Sequence, residues 1–104
     1  MFGPFSLQPE RQLLLHGTKP VRIGGRALDI LTVLVSRAGE VVRKRELMEL
    51  VWRDLTVEEC NLKVNIAALR KTLGDQPIEP RYIATIVGRG YRFVSPVHIR
   101  SVLR

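Results

Sequence analysis

The chain has little cysteine, little histidine and few acids, and each shortage excludes something. Cys60 is the single cysteine, so no internal disulfide can form, and His16 and His98 lie too far apart for metal-ligand spacing. No Ser/His/Asp or Cys/His grouping, paired carboxylates or G-x-x-x-x-G-K phosphate loop appears, so the sequence points to neither an enzyme nor a cofactor. The longest uncharged apolar run, 30–35, is far too short to span a bilayer. Met1 is followed by Phe-Gly-Pro rather than by a basic and then apolar leader. A reducing, cytoplasmic setting is the simplest expectation. Acids number 10 against 17 Lys and Arg, for a net charge of +7 and a pI near 10.5. That balance suits a polyanionic partner, nucleic acid before membrane surface.

What remains is ordinary for one small globular domain: 104 residues, 45% hydrophobic and 26% charged. Phe5 and Leu7, Leu13 and Leu15, then Val21 and Ile23 alternate between turn residues, which predicts three short strands before Gly24-Gly25. From Arg26 the period becomes helical. Ala27, Ile30, Leu31, Leu34, Val35 and Ala38 share one stripe that Gly39 would close. A second, short helix is expected over 44–51, with Leu47, Met48, Leu50 and Val51 available for burial and Trp52 at its end. Thr56-Val57-Glu58-Glu59 fits a capping box opening a third helix over 57–73, with Leu62, Ile66, Leu69 and Leu73 as its stripe and Gly74 as its stop. Runs at 82–87 and 91–94 flank Gly88-Arg89-Gly90, a hairpin signal with glycines where positive φ is needed. Three helices followed by a hairpin is the order of a winged helix. The fold class is therefore α+β, a domain over 1–95 with a tail or linker start at 96–104.

The third helix carries the functional signal. Its segment 61–74, NLKVNIAALRKTLG, contains Lys63, Arg70 and Lys71 and no acid. Opposite the apolar stripe fall Cys60, Lys63, Val64, Ala67, Ala68 and Lys71, with Arg70 at the flank. Such a face fits a major groove: bases meet phosphates or guanine edges, methyls meet thymine methyls, and small residues let the axis approach. A solvated face with unpaired bases is the alternative. The hairpin favours the first reading, because Arg89 projects from its tip between two glycines, flanked by Arg81 and Arg92. A tip arginine suits a narrow minor groove or a phosphate.

With ELMELVW (46–52), NLKVNIAALRKTLG (61–74) and RYIATIVGRGYRFV (81–94) in this order, the sequence resembles the OmpR/PhoB-type winged-helix domain of bacterial transcription regulators. GGRALDILTVLVSRAGEVV (24–42) is similar to the family's first helix and following strand. The resemblance covers about residues 5–95. It implies an N-terminal antiparallel sheet, three helices and a C-terminal wing. It also implies double-stranded DNA as partner, with Lys63, Val64, Asn65, Ala67, Ala68 and Arg70 facing it. Trp52 matches a tryptophan whose indole N–H reaches a phosphate, although packing alone also accounts for it, and Thr85 matches a wing threonine near the backbone. The loop 53–58, with Asp54 and Glu58, matches the family's RNA polymerase contact. Head-to-tail pairing on tandem sites, further domains beyond residue 104 and membrane tethering of the full-length protein are expectations of the same kind. Two departures stand out. Ala67 and Ala68 replace arginines common in relatives, and Val87 occupies the usual wing-arginine position, leaving Arg89 to act from elsewhere. The competing class is a winged helix used for protein contacts without specific DNA readout.

Overall fold

Period-two alternation at the N-terminus does give strands. The computed structural model describes residues 1–53, 55–76 and 78–98. Strand β1 (Phe5–Gln8) pairs antiparallel with β2 (Leu13–His16), Phe5 opposite His16 and Gln8 opposite Leu13. A 3-10 turn over Pro9–Arg11 joins them. The third strand, β3, is shorter and earlier than the alternation predicts. It comprises only Lys19–Pro20, against Leu15 and His16. Val21 still donates its N–H to the Leu14 carbonyl at 2.8 Å, after which Val21 and Ile23 pack against the core as the chain leaves the sheet.

Helix α1 (Gly25–Ser36) buries Ala27, Leu28, Ile30, Leu31 and Leu34. It stops before Gly39, leaving Val35 half-buried and Ala38 exposed. Gly39, at φ 87°, instead donates to the Phe93 carbonyl at 2.9 Å and so steers the chain into β4 (Val41–Arg43). Helix α2 (Lys44–Val51) has the predicted bounds, with Leu47 and Val51 buried, Met48 partly covered and Leu50 exposed.

Helix α3 (Glu59–Leu73) begins two residues later than expected, and the capping box does not form. Glu58 is the N-cap, with extended backbone and no side-chain cap bond. The Glu59 carboxylate is drawn instead to two ammonium groups, Lys44 at 3.3 Å and Lys63 at 3.7 Å. The stripe is as read: Leu62, Ile66, Leu69 and Leu73 are all buried. Each such side chain stabilises the fold by roughly 1.5–3 kcal/mol. Gly74 ends the helix at φ 69°, in the left-handed conformation that a glycine adopts without penalty.

The wing is β5 (Ile83–Ile86) and β6 (Gly90–Phe93), and β4 joins it in a second sheet of order β4-β6-β5. Phe2, which the strand pattern did not enrol, is fully buried and meets Phe93 edge-on with ring centroids 4.9 Å apart. Val97 also packs against the core, and His98 donates its backbone N–H to Met1. Residues 99–104 of the expected tail lie outside the described residues. Among the described residues no helix is long and apolar enough to cross a membrane.

Candidate nucleic-acid interface

The buried stripe fixes which way α3 faces. With Leu62, Ile66, Leu69 and Leu73 inward, Cys60, Lys63, Val64, Ala67, Ala68 and Lys71 are all exposed. Val64 leaves 67% of its surface open, so its methyls are available to a partner. Asn65 is half-buried and donates its amide to the Asn61 carbonyl one turn back, at 2.8 Å. Its amide oxygen is left as the acceptor end. The face is not wholly free of acid. Glu59 in the first turn pairs with Lys63, four residues on, but both side chains are about half exposed or more and water screens the pair.

The wing presents the second basic element. Arg89 donates its backbone N–H to Ile86 at 2.9 Å, closing a tight turn in which Gly88 takes φ 75°. The Arg89 carbonyl accepts from the Lys44 N–H at 3.3 Å, so the tip is anchored to the start of α2 while its side chain stays exposed. Gly90 was expected to need positive φ and does not. Its backbone is packed so closely against β4 that a Cβ would overlap the Val42 carbonyl. The requirement is for space, set by a partner strand that lies far away in sequence. Val87 is 90% exposed within the turn, and Arg92 points outward from β6 between the buried Tyr91 and Phe93.

Between helix and wing stands Arg70. It is half-buried, and its Nη2 donates to the Ile83 carbonyl at 3.0 Å and to the Thr85 hydroxyl at 2.7 Å. Its Nε is buried and makes no hydrogen bond among the described residues. The sequence placed Arg70 at the flank of the DNA-facing side, and nothing in its spacing announced a bond to the wing. Asp75 makes a second link. Its carboxylate accepts from the backbone N–H groups of Arg81, Tyr82 and Ile83 at 2.7, 3.3 and 2.9 Å. Asp75 in turn donates its own N–H to the Arg70 carbonyl at 2.8 Å. No sequence motif singled out Asp75.

Trp52 is 7% exposed at the end of α2, under the Arg26 guanidinium, which lies 6.0 Å from the ring centroid and donates to the Val51 carbonyl at 2.8 Å. The packing account of Trp52 is thus met by geometry. In the loop 53–58, Leu55 is 60% exposed and Glu58 is exposed, whereas Asp54 lies outside the described residues. Among the described residues no group of acids, histidines and cysteine gathers into a metal site.

A family model described as "Transcriptional regulatory protein, C terminal" matches residues 18–93. The transcriptional regulator HilA of Salmonella typhimurium is 42% identical over 101 residues, which is 97% of this chain and 18% of HilA. The DNA-binding domain of CadC from E. coli superposes with a TM-score of 0.79 at 28% identity, covering 92% of this chain and 91% of that one. The RstA DNA-binding domain of Klebsiella pneumoniae, solved in complex with the RstA box, superposes at 0.78 and 28%, covering 90% and 94%. The family model and both superpositions span most of the domain. The chain belongs to the OmpR/PhoB-type winged-helix family of transcriptional regulatory proteins.

Proposed function

We propose that this chain is the sequence-specific, duplex-DNA-binding module of a bacterial transcription regulator, with α3 in the major groove and the wing at the adjacent minor groove. The observation that carries the reading is the outer face of α3. Lys63, Val64, Ala67, Ala68 and Lys71 are all exposed, and no acid follows Glu59 in the helix. Bases there neutralise phosphates, and the methyls of Val64, Ala67 and Ala68 suit thymine methyls, so readout leans on apolar contacts together with Lys63 and Asn65. Arg89 and Arg92 supply the wing's charge, with Thr85 and Trp52 near the backbone. The RstA relative, solved in complex with the RstA box, supports DNA as the partner.

The family consists of transcription regulators rather than enzymes. The chain spans 18% of HilA's length, and within this proposal signal input belongs to further domains. Within this proposal the loop 53–58, with Asp54 and Glu58, meets RNA polymerase, two copies sit head to tail on tandem sites, and the module works in the cytoplasm, tethered or free.

Selection of duplexes from a random pool, followed by titration of the selected site against salt, tests the core claim. Neutralising about five phosphates gives a slope of log affinity against log salt near −4.5, at roughly −0.9 per contact. A pool that yields no preferred sequence, or a salt-independent affinity, defeats the proposal.

A further inference from the structure

We infer that Arg70 is a positioning residue that holds the wing against α3, so that the two DNA-contacting elements act as one rigid unit. The inference rests on the proposed DNA-binding reading for its function, though not for its geometry. An arginine at the flank of a groove-facing helix would ordinarily be assigned to a phosphate. Here its Nη2 bridges two acceptors on β5, the Ile83 carbonyl and the Thr85 hydroxyl, 13 and 15 residues along the chain. Its Nε is buried as well. With Nη2 committed and Nε enclosed, a phosphate could meet this guanidinium at Nη1 at most. The planar fork matters, because it makes directed bonds that a single ammonium cannot reproduce at the same reach.

The bridge completes a frame. The α3 end of β5 is fixed by the Asp75 carboxylate, and the far end of the hairpin by the Lys44 N–H on the Arg89 carbonyl. Arg70 ties the middle of β5, at Ile83 and Thr85, directly to the helix. Among the described residues no other side-chain hydrogen bond joins β5 to α3 itself. Without Arg70 the distance between what α3 reads and what Arg89 reaches would vary from molecule to molecule. Ordering the wing would have to occur on binding, and its contribution to affinity would fall.

Two measurements decide the matter, using Arg70→Met, which keeps the aliphatic stem, and Arg70→Lys, which keeps the charge. Amide hydrogen exchange of Ala84, Ile86 and Arg89 in the DNA-free protein should quicken about tenfold or more in Arg70→Met, with core amides of α1 unchanged. In a double-mutant cycle, Arg89→Ala should cost less affinity in the Arg70→Met background than in the wild type, with a coupling between about twofold and a hundredfold. Arg70→Lys should behave as Arg70→Met. Unchanged wing exchange overturns the inference, as does an equal cost of Arg89→Ala in both backgrounds. Full affinity and salt slope in Arg70→Lys would assign Arg70 to a phosphate instead. A protein that binds no duplex at all would defeat the proposed function, and the exchange data would still judge the role of Arg70.

Discussion

Gly90 stands against Val42 with no room for a side chain: a Cβ there would overlap the carbonyl oxygen and lie 2.9 Å from both its carbonyl carbon and the Arg43 Cα. These are backbone atoms of a paired strand and cannot swing aside. Gly88, two residues earlier, has the opposite need, since its φ is 75° and a Cβ would meet nothing within 4 Å. Gly90→Ala should therefore cost the upper end of the roughly 1–3 kcal/mol of overpacking, or beyond it. Gly88→Ala should cost about 1–2 kcal/mol from backbone strain alone. Thermal melting checks the order, at about 4–8 °C per kcal/mol for a domain of this size. A Gly90→Ala protein melting above Gly88→Ala would contradict the packing.

The reading face should separate from its tuning. Lys63→Ala and Val64→Ala should change which sequence is preferred, by about 1–3 kcal/mol of discrimination where a base contact is lost. Glu59→Gln should do something else. That carboxylate holds Lys44 and Lys63 at 3.3 and 3.7 Å, so removing its charge releases both ammonium groups towards DNA. Affinity should rise for all sequences alike, by about 1 kcal/mol or less, and the gain should shrink with added salt. Binding of the three variants to preferred and scrambled duplexes at two salt concentrations distinguishes the outcomes.

The wing should read groove width. Arg89 and Val87 both lie in the hairpin turn, and both are exposed. A-tracts narrow the minor groove and deepen its negative potential. Arg89→Ala should therefore lower affinity most on duplexes with an A·T-rich flank beside the recognition site and least on G·C-rich ones. Melting temperature should be unchanged, because an exposed tip side chain buries little apolar area. Equal losses on both flanks would reduce Arg89 to a phosphate contact, and no loss would remove the tip from the interface.

Features governed by neighbours along the chain were legible in the sequence. The bounds of α2, the buried stripe of α3, the stop at Gly74 and the hairpin all follow from periodicity and turn chemistry within a few residues. Features decided by distant partners were not. The capping box matched Thr56 and Glu59 by spacing, but Lys44 captured the glutamate from another helix. Gly39 looked like a helix stop and proved to be a strand lead-in, fixed by the Phe93 carbonyl. Arg70 and Asp75 belong to the same class, since their partners are set by how the wing folds back on α3.

Asp75 has a consequence for how such a domain can vary. Because one carboxylate receives the N–H groups of Arg81, Tyr82 and Ile83, the start of β5 is indexed to the end of α3 directly. That alignment is set by these bonds between Asp75 and residues 81–83, not by the number of residues between them. Lengthening a flexible loop adds only about 0.6 kcal/mol per doubling of its length. Residues could be inserted or lost there while the angle between the groove-reading helix and the wing stayed the same. This loop is thus a place where the chain can change in length without changing what it recognises.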